Sequence, residues 1–457
     1  MRDQEFLLYR VREGAGLLRD MARIIRHYEQ GRGKRKDGPL FYSAIHRLLE
    51  LAGQKGFYGN LWHCYLADLL VRHENSYSIG CEIGGEVKGS VELAALHDLE
   101  IFREFFRYDF TGLTRALEVR EFDLATAYDG GEADGRPASR VYSDGIRRQI
   151  CALARSLGEA GSAADMKESL TAFYQAYGVG KFGLHKAFRV ACPGGSPDAG
   201  AVRIVPISKI ARVRLDDLVG YEAAKKKLTD NTEAFVEGRK ANNCLLYGDA
   251  GTGKSSCMKA VANAYYGKGL RVIEIYKHQF RDLQALVGQI KNRRYKFILF
   301  MDDLSFEEFE TDYKYLKAVI EGGLERRPDN VLIYATSNRR HLIRENYGDK
   351  IEGASSVGSG AARFSEVRQD MHAGDTVQEK LSLAARFGVT IYFGAPDKKE
   401  FQHIVWELAL RNGLDLPREQ LLLAADRWEL FCGARSGRCA QQFIDDLLGK
   451  QRGTLCP

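Results

Sequence analysis

The stretch Gly248 to Ser256 holds the clearest chemistry in this chain of 457 residues. Gly248, Gly253, Lys254 and Ser255 stand at the spacing G-x-x-x-x-G-K-[ST], with Gly251 an extra glycine inside the loop. A loop that wraps a triphosphate must aim several backbone N–H groups inward, and glycine reaches the required conformations at low cost. Asp249, Ala250, Thr252 and Ser256 complete the segment whose backbone would cradle the phosphates. The Lys254 ammonium is a mobile point charge for the β- and γ-oxygens, and the Ser255 hydroxyl is a ligand for Mg²⁺. A helix opening near Lys254 adds the positive end of its dipole beneath the phosphates. The plain alternative is a chance glycine-rich turn. Against it stands the context, a buried apolar run from Cys244 to Tyr247 before the loop and a helical pattern from Ser255 to Ala264 after it.

The second chemical signal is FILFMDD, residues 297–303, an apolar strand ending in acid. Such a strand tip carries Asp302 toward the Mg²⁺ held by Ser255. Asp303 follows and suits orienting or deprotonating an attacking water. Taken alone, a strand ending in two aspartates is weak evidence; after a phosphate loop it is strong.

These groups need a scaffold. Short apolar runs rich in β-branched and aromatic residues recur at 245–247, 271–276, 297–303, 330–338 and 389–393, separated by helical patterns. That alternation predicts an α/β fold, a parallel sheet with helices on both faces. After Pro396, periodic segments at 398–410, 418–431 and 439–448 predict a small helical lid. Before the sheet, helical patterns at 6–28, 41–52, 61–71, 91–108 and 146–157 predict a mostly helical N-terminal domain without a catalytic set of its own. The expected organisation is therefore a helical domain at 1–190, a linker at 191–201, a nucleotide-binding domain at 202–395 and a lid at 396–457. Gly178, Gly180 and Gly183 match the dinucleotide fingerprint by letter, but a helical stretch precedes them rather than a strand, so a turn is the better reading.

Composition sets the outer bounds. The chain is 45% hydrophobic and 28% charged with a formal charge of +6, an ordinary globular balance that does not by itself argue for nucleic acid. Basic runs at 31–38 (GRGKRKDG) and 291–296 (KNRRYK) read first as solvated surface. No apolar run approaches the roughly 18 residues needed to span a bilayer, which argues against a membrane. Nine cysteines without a C-x-x-C pair suit thiols in a reducing compartment, and a cytoplasmic location is expected.

Residues 202–450 resemble the AAA+ class of P-loop ATPases, in the branch nearest the bacterial replication initiators and helicase loaders. More narrowly, GDAGTGKSS, DDLSFEE, ATSNRRHLI, EKLSLAARFG and SGRCAQQFIDDL resemble a bacterial predicted-ATPase family, domain of unknown function 815. The resemblance implies ATP as the nucleotide, with Mg²⁺. It implies that Leu218 to Tyr221, with Val219 and Gly220 between them, pack on the adenine. It implies that Asn338 is the polar sensor at the strand tip, where its amide can reach both γ-phosphate and water. Arg386 matches an arginine finger acting on a neighbouring subunit's nucleotide, a group worth about 10³ to 10⁵ in rate. Arg438 matches the lid arginine that contacts the γ-phosphate, with Arg435 a nearby substitute. Self-assembly through Arg386 follows from that match.

Two departures qualify the resemblance. The family pattern has Glu after the metal-binding Asp, whereas this chain has Asp303, one methylene shorter; Glu307 or Glu308 downstream could substitute. The aromatic-hydrophobic-glycine pore loop is replaced by YKHQFRDLQ, which argues against polypeptide threading. The polar segment 345–378 reads either as a partner-binding element or as a tract without a role. Three functions are then in competition. The first is an Mg²⁺-dependent ATPase that assembles and moves its N-terminal domain or a protein client. The second is a slow or non-hydrolysing nucleotide-gated binding module, and the third is a nucleic-acid loader.

Overall fold

The computed structural model describes residues 4–10, 16–32, 37–129, 139, 141–191, 202–208, 210, 211, 213–306, 312–321, 328–338, 383–414 and 416–452. The chain divides into two compact units, Met1–His185 with Pro206–Lys209, and Lys186–Val205 with Ile210–Pro457.

The first unit is helical. Its centre is the helix Leu61–Arg72, buried on every face from Cys64 to Val71, as expected of a helix that runs through a core rather than over it. The helices Gly16–Glu29, Gly38–Lys55, Ser90–Arg107, Asp144–Glu159 and Ala163–Tyr177 surround it and share one hydrophobic cluster. Charged groups also sit inside: Asp68 accepts from the buried Lys55 ammonium and from the Tyr142 hydroxyl (2.6 Å).

The helix expected from Phe6 begins only at Gly16 among the described residues. The cause is local and specific. The backbone N–H groups of Leu7, Leu8 and Tyr9 all donate to the buried Asp98 carboxylate at 2.8–2.9 Å, so this segment wraps a distant side chain instead of closing helical turns. Of the glycine trio expected in a turn, only Gly178 is in one, capping the helix Ala163–Tyr177, whereas Gly180 and Gly183 lie in the five-residue helix Gly180–Leu184. A Cβ at Gly183 would lie 2.6 Å from the Gly178 carbonyl carbon, which explains the glycine without any nucleotide.

Among the described residues, the second unit is built on seven strands: β1 (Ala187–Ala191), β2 (Arg203–Pro206), β3 (Cys244–Gly248), β4 (Leu270–Glu274), β5 (Lys296–Met301), β6 (Val331–Ser337) and β7 (Val389–Phe393). They form one sheet in the order β2-β1-β4-β5-β6-β3-β7, and from β1 to β7 every neighbouring pair is parallel. β2, at one edge of the sheet, and β1 beside it are strands that the sequence reading did not foresee. β1 pairs Ala187 with Val272 and so extends the sheet, although residues 187–190 were expected to belong to the helical domain. β6 is buried along its whole length, the mark of a central strand covered on both faces.

Two connections matter for the site. Gly248 leaves β3 with φ +135°, and a Cβ there would meet the Phe393 carbonyl oxygen at 2.0 Å, so only glycine fits where the loop departs beside β7. Beyond β7, the helices Lys398–Arg411, Arg418–Cys432 and Gly437–Arg452 pack around Phe401, Val405, Ala425, Ala440 and Ile444 as the lid. The first of these opens on a reciprocal cap between Asp397 and Glu400.

Candidate functional site

The loop from Asp249 to Gly253 joins β3 to the helix Lys254–Tyr265 at the carboxyl end of the sheet, where open α/β sheets bind their ligands. Gly251 and Gly253 adopt φ +77° and +92°, which turns successive N–H groups to one side. The Lys254 side chain is buried, and its ammonium donates to the carbonyls of Gly248 (2.9 Å) and Asp249 (2.6 Å). Burial pushes the Lys254 ammonium down from its ordinary range, while Asp249, Asp303 and Asp302 pull it back.

The sheet register brings the acidic strand tip to this loop. β6 lies between β3 and β5, pairing Leu246 with Thr336 on one side and Met301 with Ala335 on the other. Thr336 therefore stands between the phosphate loop and Asp302. Its hydroxyl donates to Asp302 Oδ1 (2.6 Å) and accepts the Asp303 N–H (2.9 Å). Ser255 Oγ donates to the same Asp302 oxygen at 2.6 Å. Asn338 Nδ2 donates to Asp303 Oδ1 at 2.9 Å. Asp303 itself has φ +51°, one of three non-glycine residues at positive φ among the described residues. Another is Tyr221, at φ +60°, whose hydroxyl donates to the Gly394 carbonyl at 2.9 Å. Two strained backbones at one cleft, held by surrounding hydrogen bonds, are typical of a functional site.

The cleft encloses about 600 Å³. Ala250 to Ser256 form its floor, with Leu218, Val219 and Tyr221 on one wall and Asp302, Asp303, Thr336 and Asn338 opposite. Ile404, Leu408 and Arg438 come from the lid. The Arg438 N–H donates to the Gly251 carbonyl at 3.2 Å, so the lid touches the loop directly.

Most residues expected at the site are thus brought together, and some stand aside. Asp249 contributes its backbone, while its carboxylate accepts the Ala395 N–H at 2.7 Å. Gly248 and Gly220 are not among the residues that line the cleft. Arg386 is not on the cleft; its guanidinium pairs with Glu321. Arg435 pairs with Glu429 at 2.7 Å, which leaves Arg438 as the lid arginine on the cleft. Glu307, Glu308 and the segment 345–378 lie outside the described residues. Thr336 was missed in the sequence. Its signal was the strand end ATSN, where alternation puts residues 336 and 338 on one face.

The donor set fits a magnesium nucleotide. Ser255 and Asp302 present hard oxygens to a shared position, and Lys254 is held by carbonyls at the mouth of a glycine cradle. Among the described residues no helix is long and apolar enough to cross a membrane.

The family model described as "Protein of unknown function (DUF815)" matches residues 195–451. The chain is similar to the replication factor C large subunit of Aeropyrum pernix, 33% identical over 22% of this chain and 21% of that protein. It is similar to the replication factor C small subunit of Thermofilum pendens, 25% identical over 40% of this chain and 52% of that protein. The aligned stretches thus span about a fifth to a half of those relatives' own length. Among solved structures, the RuvB Holliday junction branch migration motor of Thermotoga maritima aligns at 15% identity with a TM-score of 0.31, covering 52% of this chain and 73% of that one. The FIGL-1 AAA domain in complex with ADP aligns at 17% identity with a TM-score of 0.30, covering 47% and 69%. With more than half of its residues inside the family match, the chain belongs to the DUF815 family.

Proposed function

We propose that this protein binds ATP with Mg²⁺ in the cleft above β3 and hydrolyses it to drive a change in its N-terminal domain or in a bound protein client. The carrying observation is the Ser255–Asp302 contact, which joins the start of the helix Lys254–Tyr265 to the tip of β5 in the cleft that Lys254 also lines. In this reading Ser255 and Asp302 hold the ion, and Lys254 and the loop N–H groups from Asp249 to Ser256 hold the phosphates. Val219, Gly220 and Tyr221 border the base. When bound, magnesium supplies a Lewis acid that offsets phosphate charge. Asp303 orients the attacking water, Asn338 fixes the Asp303 carboxylate, and Arg438 reports the γ-phosphate to the lid. Arg386 serves a neighbouring copy, which makes the working form a homo-oligomer. Residues 202–395 act as the nucleotide-binding body and 396–457 as the lid.

The test is steady-state phosphate release with and without Mg²⁺, comparing the native chain with Lys254→Ala. Turnover that vanishes in the variant supports the enzyme. One observation favours the switch reading instead: the Asp303 carboxylate is short, sits on a strained backbone and already accepts the Asn338 amide. Tight ATP binding without turnover would select that reading. The nucleic-acid loader is a third outcome, supported if DNA or RNA raises turnover in a salt-dependent way.

A further inference from the structure

The helical unit holds a cavity of its own, of about 630 Å³, lined by residues between Arg10 and Glu74. Two helix faces shape it. Leu51 and Lys55 stand one turn apart at the end of the helix Gly38–Lys55. Asp68, Leu69 and Arg72 share one face of the helix Leu61–Arg72. The cavity therefore has apolar walls with charged groups set among them.

The chemistry lies at its floor. The Lys55 ammonium and the Asp68 carboxylate are buried, the residues 6% and 1% exposed, and they bond each other. Tyr142 donates to the other carboxylate oxygen at 2.6 Å, and the Arg72 guanidinium stands 3.6 Å from the Asp68 oxygen that Lys55 uses. Both oxygens are thus engaged, and one anion stands against two cations. A buried excess of charge is costly until an opposite charge meets it. Lys55 also has donors to spare. Among the described residues Asp68 is its one hydrogen-bond acceptor, and its other neighbours are the Phe57 and Tyr142 rings at 5.7 and 5.9 Å. Burial pushes the Lys55 ammonium down, Asp68 pulls it back, and the Arg72 charge pushes it down again.

More positive charge stands on the lining. Arg10 is exposed, and among the described residues only its Nε–H is spent, on the Phe6 carbonyl at 3.0 Å. Glu50 and Glu74 line the cavity too, but both are exposed, where water and salt screen them. The buried floor has no such screening.

We propose that this cavity binds an organic oxyanion, its phosphate or carboxylate head on Lys55 and Arg72 and its apolar body against Leu51 and Leu69. A guanidinium beside an ammonium suits such a head, through charge-assisted hydrogen bonds. The volume is that of a small-molecule site, and a bare inorganic anion would leave most of it unfilled. A cationic ligand is the wrong charge, because both Asp68 oxygens already have partners. The proposal is independent of the nucleotide reading, since the cavity belongs to the other unit.

Calorimetry on the full chain at neutral pH compares 1-naphthyl phosphate, 1-naphthoate and uncharged 1-naphthol. At least one anion should bind with a Kd of about 1 mM or tighter, and 1-naphthol at least about tenfold more weakly. Binding of both anions makes the oxyanion the shared feature; binding of one assigns the head as phosphate or as carboxylate. Lys55→Met would strand a buried carboxylate, so variants at two exposed positions carry the test. Arg72→Gln should bind the anion about tenfold more weakly and Arg10→Gln several-fold, each with a urea unfolding midpoint close to the native one. Lys254→Ala should bind it as the native chain does. Failure of both anions to bind, or 1-naphthol binding as tightly as they do, overturns the proposal. Native affinity in both arginine variants overturns it too, as does loss of binding in Lys254→Ala, which would place the anion on the phosphate loop.

Discussion

Ser255 Oγ donates a hydrogen bond of 2.6 Å to Asp302 Oδ1, joining the helix after the phosphate loop to the tip of β5. This contact marks where the two residues would share an ion. Ser255→Ala and Asp302→Ala should each weaken magnesium-dependent ATP binding at least about tenfold. The double variant should lose little more, because the two act as a unit. Calorimetry with and without Mg²⁺ checks this, and native-like affinity in Asp302→Ala would refute the shared position.

Thr336 makes one bond to Asp302 and one from the Asp303 N–H. Thr336→Val keeps the shape and removes both, leaving a strained N–H without its acceptor at a cost of about 1–3 kcal/mol. Turnover should fall roughly tenfold or more while ATP affinity changes less, since the phosphate loop is untouched. An equal loss in binding and rate would mean that Thr336 is structural only.

Gly248 has no room for a side chain against the Phe393 carbonyl. Gly248→Ala should cost about 2–4 kcal/mol in stability from backbone strain and overpacking. A urea unfolding midpoint indistinguishable from the native chain would contradict the described geometry.

Asp98 accepts from three consecutive backbone N–H groups near the amino end of the chain. Asp98→Ala strands all three, and the unfolding free energy should drop by at least about 3 kcal/mol. Proteolysis should become faster first at residues 6–10, whose path depends on that carboxylate.

Burial raises the phenols of Tyr142 and Tyr174 well above the ordinary tyrosine range, and Tyr9 and Tyr65 are raised for the same reason. Unfolded tyrosines release protons near pH 10, whereas these keep theirs while folded. The unfolded state then binds fewer protons, so stability falls as pH rises above about 10, by up to ~1.4 kcal/mol per pH unit for each. Urea titrations at increasing alkaline pH read this slope; a flat profile would show that these phenols ionise in place.

What could be read in the sequence follows from what each signal encodes. The phosphate loop and the strand ending at Asp302 are local patterns whose residue types are dictated by the chemistry, so both were legible. The three lid helices were legible because apolar periodicity survives in each. β1 was not, because five residues between a short helix and a polar stretch carry no periodicity to distinguish them, and only pairing with β4 defines them. The start of the first helix was misread because the competing acceptor, Asp98, lies about ninety residues away. The Arg386–Glu321 pair was equally invisible, since neither residue type nor spacing foretells a partner across the fold.

That last pair has a consequence for assembly. Arg386 enters any encounter with its charge already satisfied by Glu321. Under the proposed trans arrangement, a neighbouring copy's triphosphate must outcompete a resident carboxylate, so docking gains only the difference between two attachments. An assembly held on such terms would come apart readily once the γ-phosphate is gone, which would tie its lifetime to the age of its nucleotide.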